Sequence, residues 1–211
     1  MYPYLKRLGD AVFSGLSLII LSPVLLILWL MVKLTSAGPA VFSQERVGKN
    51  CKIFIIHKFR TMSIETKKEG KYLSDFERMT PVGVLLRKFS LDELPQLWNI
   101  LKGDMSFIGP RPLLVEYIPR YSQFQIRRHE VLPGITGWAQ INGRNTLDWE
   151  QRFKYDVWYV DHRSLKLDIS IFIKTIGYVF SKRDINQSEI ETMTPFLGNA
   201  KQNDHEQGGE E

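Results

Sequence analysis

Residues Ala11–Val32 read A-V-F-S-G-L-S-L-I-I-L-S-P-V-L-L-I-L-W-L-M-V, 22 positions without one charge. A straight helix of that length, rising about 1.5 Å per residue, just reaches across the roughly 30 Å hydrocarbon layer of a bilayer. Ser22-Pro23 stands at its centre. Pro23 removes a backbone donor and crowds the preceding turn, so a bend or break is expected there. Lys6 and Arg7 precede the segment, and Lys33, Arg46 and Lys49 follow it. If basic flanks stay on the cytoplasmic side, both ends belong on the same side. Residues 1–36 are therefore expected to form a re-entrant helix-break-helix, with Ser22 helping to satisfy the backbone groups freed at the break. A kinked transmembrane helix is the alternative. A signal peptide is disfavoured, because Leu34–Ala40 offers no clean A-x-A site.

At 211 residues and 44% hydrophobic composition, the chain has enough apolar material for one domain with a real core. A single cysteine, Cys51, excludes an internal disulfide and a cysteine-based zinc cluster. Net charge is +5; taking away the tail's −3 (Gly198–Glu211) leaves the first 197 residues at +8. That balance suits nucleic acid, anionic lipid or phosphorylated small molecules, and charge alone does not choose between them. The tail is polar and aperiodic and is expected to be disordered. The predicted division is 1–36 membrane segment, 37–197 cytosolic catalytic domain and 198–211 tail.

Ala40–Arg46 and Lys52–Met62 read as two strands joined by a turn at G-K-N. Alternation along H-K-F-R-T-M puts Lys58 and Arg60 on one face, as either a solvated edge or a phosphate clamp. Residues 63–79 look like an exposed loop. T-P-V-G-V-L-L-R-K-F then reads as a short helix delivering Arg87 and Lys88 beside the next motif, S-L-D-E-L-P-Q (Ser90–Gln96).

Ser90 followed three residues later by Glu93 has the spacing of a capping box, opening a helix that carries Leu94, Leu97, Trp98 and Leu101 on one face and stops near Gly103. The other reading of the Asp92-Glu93 pair is chemical. Nearby cations would lower a carboxylate pKa and keep it ionised. Further on, Arg111 is fenced by Pro110 and Pro112, which hold a planar five-donor fork on a stiff loop suited to phosphate. Pro119–Leu132 is a basic amphipathic stretch, either facing lipid headgroups, lining a polyanionic site or simply solvated. I-T-G-W-A-Q-I suggests a strand, and N-G-R-N a tight turn displaying Arg144. A helix over Thr146–Val160 aligns Trp149, Phe153, Asp156 and Val160; Asp156 on that face needs a cation, and one of the arginines is expected to supply it. The last helix is expected over Leu167–Ser181. Trp149, Trp158 and Tyr159 are either core or a headgroup-level aromatic belt.

Taken together, the apolar segment broken at Ser-Pro, H-K-F-R-T-M, S-L-D-E-L-P-Q-L-W-N, G-D-M-S-F-I-G-P-R-P and P-G-I-T-G-W-A-Q-I-N-G-R closely resemble the monotopic phosphoglycosyl transferases, bacterial sugar transferases that begin undecaprenyl-linked glycan assembly. The match runs over roughly residues 1–185 and looks like the minimal form without extra N-terminal membrane helices. The resemblance implies a mixed α/β fold, mostly helical, with a re-entrant membrane segment, a short β-hairpin and amphipathic interfacial helices. It implies that Asp92 is the nucleophile and attacks the sugar-bearing phosphate of a UDP-sugar. UMP would leave and undecaprenyl phosphate would receive the phosphosugar. Glu93, with Asp92, would hold Mg2+. Lys58, Arg60, Arg87, Arg111 and Arg144 would bind phosphate, with Asp156 and Asp168 organising those cations. Ser22 and Pro23 match the family's membrane break. The expected location is the bacterial inner membrane, with the catalytic part facing the cytoplasm and no nucleic acid partner. A second copy of the chain and downstream glycosyltransferases are the protein partners it admits. The rival reading is a non-catalytic, membrane-anchored basic scaffold.

Overall fold

The computed structural model describes residues 2–68, 70–143, 147–180 and 195–198. Two helices, α1 (Tyr2–Ile20) and α2 (Ser22–Thr35), meet at a 65° bend. Pro23 falls in the first turn of α2, where a missing N–H loses no helical bond. Ser22 Oγ donates to the Ile19 carbonyl at 2.8 Å, as expected of a side chain at the break. No single helix among the described residues is long and apolar enough to cross a membrane; the bent pair is, by length and composition together. Leu8, Val12, Leu16 and Ile19 of α1 and Leu26, Ile27 and Leu30 of α2 are exposed, whereas Leu28 and Val32 pack with Ala40, Phe59 and Leu86.

The amino end of α1 is tied to the rest of the molecule. Arg7 donates to the Ile100 and Leu101 carbonyls at 2.9 and 2.8 Å, a cation at the negative end of the helix they close. Lys6 reaches Asp168 at 2.6 Å, and Asp10 accepts from the Phe107 amide at 3.3 Å.

Strands β1 (Val41–Val47) and β2 (Ile53–Phe59) form an antiparallel hairpin with Val41 opposite Phe59 and Val47 opposite Ile53. Its turn passes through Asn50 and Cys51, both at positive φ. The stretch expected to be loop holds a small hairpin, β3 (Lys67–Lys68) with β4 (Lys71–Tyr72), and one helical turn, α3 (Asp75–Arg78). Next come α4 (Pro81–Lys88) and α5 (Gln96–Lys102). A Cβ on Gly83 would stand 1.9 Å from the Thr61 carbonyl oxygen, so glycine is what lets α4 lie against the end of β2.

Strand β5 (Ser106–Ile108) pairs in parallel with β6 (Gly134–Thr136). The strand expected through I-T-G-W-A-Q-I stops at Thr136, and the chain turns at Gly137 into a short helix, α6 (Trp138–Ile141). Helix α7 (Trp149–His162) is capped by Asp148, whose carboxylate accepts from the Gln151 amide at 2.6 Å; α8 (Leu165–Phe180) follows.

Two expectations about side chains need correction, and one open alternative is decided. Trp98 is exposed, and the buried face of α5 is Gln96, Leu97, Asn99 and Ile100. Trp149 and Tyr159 are core residues, not part of a belt, while Trp158 stacks on Trp138 and His162. The basic stretch forms two 3-10 turns, Val115–Arg120 and Gln125–Glu130, whose Arg128 and His129 point inward, because a buried carboxylate on α7 draws the guanidinium in. Phe196 is fully buried among Tyr117, Tyr121, Trp149 and Phe153, and Arg120 donates to its carbonyl. The tail beyond Gly198 lies outside the described residues.

Candidate active site

Asp92 and Glu93 occupy a 3-10 turn, Leu91–Glu93, between α4 and α5. The expected capping box is absent: Ser90 has φ 54°, its side chain caps nothing, and α5 starts only at Gln96 after Pro95. The same spacing earlier in the chain, Ser74 and Glu77, does form a complete box at α3. The difference is competition. Glu93 Oε1 accepts from Lys58 Nζ at 2.6 Å and from Arg111 Nη2 at 2.7 Å, whereas the exposed Glu77 meets no cation among the described residues and accepts from the amide and hydroxyl of Ser74.

The two acids are thereby differentiated. Burial alone would push Glu93 up, but Arg111 and Lys58 outweigh it and bring its pKa down to about 2. Asp92 goes the other way: burial and the Glu93 charge raise it, against the smaller pull of Lys58, Arg111 and Arg87. The expectation that nearby cations lower a carboxylate pKa therefore holds for Glu93 and fails for Asp92. Among the described residues no hydrogen bond reaches the Asp92 carboxylate. A largely buried carboxylate that no donor among the described residues engages is a good nucleophile toward phosphorus, since little has to be stripped from it before attack.

Several residues hold this arrangement. Asn99, fully buried, donates to the Ile55 carbonyl at 2.7 Å and accepts from the His57 amide at 3.2 Å, clamping α5 to β2 beside Lys58. Arg128 Nε and Nη2 donate to Asp156 Oδ2 at 3.0 and 2.7 Å, and Nη2 also donates to the Arg111 carbonyl at 2.7 Å. Asp156 thus has its arginine, and that arginine fixes the backbone of Pro110-Arg111-Pro112. Arg87 Nε donates to Thr61 Oγ1 at 3.2 Å.

Two candidates lie elsewhere. Arg60 donates through Nη2 to the Ser36 carbonyl at 3.0 Å, at the foot of α2, and its Nε and Nη1 are shielded without a partner among the described residues. Asp168 accepts from Tyr2, Lys6 and Tyr159 rather than from the cations at the acid pair. Arg144 lies outside the described residues. Asn99 carried no sequence signal beyond a polar residue on an apolar helix face; Phe196 was signalled only by an isolated P-F-L in a polar run.

A cleft of about 410 Å³ opens from Ser90, Glu93 and Arg111 toward Thr136, Gln140 and Arg152, a size ordinary for small-molecule sites. No group of three or more His, Cys, Asp or Glu suited to a metal occurs among the described residues. The two acids still fit Mg2+, which commonly takes one or two carboxylates and completes its shell with water and substrate phosphate. Among the described residues no donor reaches Asp92, and both side-chain bonds to Glu93 fall on Oε1.

Glu93 and Arg111 line the cleft, Asp92 is the neighbour of Glu93 in the chain, and the acids with their fixed cations make a site suited to handling anions. The chain belongs to the bacterial sugar transferase family, whose model matches residues 1–182. It is 48% identical over 194 residues to an uncharacterized sugar transferase, EpsL, of Bacillus subtilis, covering 92% of this chain and 96% of that protein. It is 40% identical to the undecaprenyl-phosphate galactose phosphotransferase of Salmonella typhimurium (85% of this chain, 41% of that protein). It is 43% identical to the UDP-glucose:undecaprenyl-phosphate glucose-1-phosphate transferase of Escherichia coli (83% of this chain, 40% of that protein). The chain thus spans less than half the length of these two named enzymes.

Proposed function

We propose that this protein transfers a sugar 1-phosphate from a UDP-sugar to undecaprenyl phosphate, in two displacements at one phosphorus. The observation that carries the reading is the division of labour in the acid pair, with Glu93 neutralised by Lys58 and Arg111 while Asp92 remains buried without a donor. An Asp92 oxygen attacks the phosphorus that bears the sugar, and the bond from that phosphorus to the bridging oxygen breaks. UMP leaves with the electron pair, and an aspartyl phosphosugar remains. A phosphate oxygen of the polyprenol phosphate then attacks the same phosphorus and expels the Asp92 carboxylate. The product is a polyprenyl diphosphate sugar.

Phosphoryl transfer of this kind needs alignment and charge neutralisation more than proton chemistry. Arg111, held by the prolines and by Arg128, is placed for the donor phosphates, with Lys58 and Arg87 beside it. Arg60, whose Nε and Nη1 have no partner among the described residues at the foot of α2, is suited to the acceptor phosphate. Asp92 and Glu93 would hold Mg2+, which supplies charge neutralisation for the crowded phosphates when bound. The exposed apolar faces of α1 and α2 support a re-entrant seat in one leaflet, beside the phosphate head of the lipid.

The test is intact-protein mass spectrometry with UDP-sugars and no acceptor. A phosphosugar adduct on the peptide holding Asp92, formed with Mg2+ and lost in excess chelator, is expected. Full turnover without any adduct would show direct transfer instead.

A further inference from the structure

Gln140 stands on the wall of the same cleft, and the state of its carboxamide is unusual. Both Oε1 and Nε2 are shielded from solvent, and neither has a hydrogen-bond partner among the described residues. Buried polar groups in folded proteins are overwhelmingly paired, so an amide with both ends unmatched inside a ligand-sized cleft points to a ligand that matches it. Gly137 has no side chain, and a Cβ there would stand 3.0 Å from Gln140 Oε1. Ile135 and Ala139, which line the cleft with it, offer apolar surface for a flat ring.

We propose that Gln140 reads the uracil of the nucleotide donor, an inference that rests on the transfer reaction above. A primary carboxamide presents one donor and one acceptor side by side, so its complement must present an acceptor and a donor side by side. The imide edge of uracil does this, with N3–H next to a ring carbonyl. Phosphate has only acceptors and leaves Oε1 unmatched. The acetamido group of an N-acetyl sugar is trans, so its N–H and C=O face opposite ways and one carboxamide cannot take both. Neighbouring sugar hydroxyls are the remaining match, and they would make Gln140 a reader of the sugar instead of the base.

The experiment compares the wild type with Gln140→Met, similar in length but without hydrogen bonding. Both are given an accepted UDP-sugar, its N3-methyluridine counterpart and a donor with an epimeric sugar. The wild type is expected to use the N3-methyl donor roughly tenfold to a hundredfold less efficiently, and Gln140→Met to lose a similar factor on the natural donor and to treat the two bases nearly alike. Equal use of both bases by the wild type overturns the proposal, as does unchanged base discrimination in Gln140→Met. So does a variant that keeps base discrimination and loses sugar discrimination, which would assign the amide to the sugar. If Gln140→Met does not fold, inhibition of the wild type by UMP against N3-methyl-UMP, repeated with Gln140→Glu, decides the same question. A wild type that releases UMP from no UDP-sugar would instead overturn the transfer reaction itself.

Discussion

Replacing Asp156 by Asn removes the carboxylate that pairs with Arg128, its one ion-pair partner among the described residues. The pair is sealed, with side-chain exposures of 1% and 2%, and two of its hydrogen bonds converge on Asp156 Oδ2. Breaking one side of such a pair strands the other charge, at a cost of about 3–5 kcal/mol. For a chain of this size each kcal/mol moves the melting temperature by roughly 2–4 °C, so Asp156→Asn is expected to melt about 6–20 °C lower. The same helix supplies the control: Asp161 pairs with Arg127 in the open, and Asp161→Asn is expected to leave the melting temperature within scatter. Arg128 also holds the Arg111 carbonyl, so Asp156→Asn should slow UMP release beyond what lost folded protein accounts for. Differential scanning fluorimetry in matched detergent reads the first effect, and turnover at a temperature where both variants are folded reads the second. Equal melting of Asp156→Asn and Asp161→Asn would refute the reasoning, since burial is what separates the two pairs.

Asp92→Asn is expected to abolish both UMP release and the covalent adduct while melting at or above the wild type, because it removes a charge that burial and Glu93 already disfavour; a fall of several degrees would contradict that. Arg60→Gln should raise KM for polyprenol phosphate roughly tenfold or more and leave KM for the UDP-sugar nearly unchanged, and equal effects on both would remove Arg60 from the acceptor site. His129 is kept neutral by burial and by Arg128, with a pKa of about 3. Below about pH 6.5 the unfolded chain takes up a proton that the folded chain refuses, so stability falls as pH drops from 6.5 toward 3. Urea midpoints at pH 7.5 and 5 measure this, and His129→Gln should flatten the slope.

The local features that the chain announces are those whose physics is local. An uncharged run with Pro23 at its centre bends whatever surrounds it. The hairpin around G-K-N, the helix after Thr80-Pro81 and the α7 and α8 helices follow from alternation, apolar spacing and caps, so they appear within a few residues of where they are expected. The acid pair and the proline-fenced Arg111 were also legible, because those residue types at that spacing limit the chemistry available. What the chain could not announce depends on neighbours distant in sequence. Ser74-x-x-Glu77 and Ser90-x-x-Glu93 are the same motif, yet only the first caps a helix, since Lys58, 35 residues away, and Arg111, 18 residues on, claim Glu93. Whether Asp92 is raised or lowered turned on burial against a like charge, a balance with no trace in a linear string. The inward turn of Arg128, the clamp at Asn99 and the burial of Phe196 belong to the same class. Periodicity decides which way a residue faces on its own helix or strand; only packing decides what it then meets, and it is there that cations, acids and unmatched amides become a site.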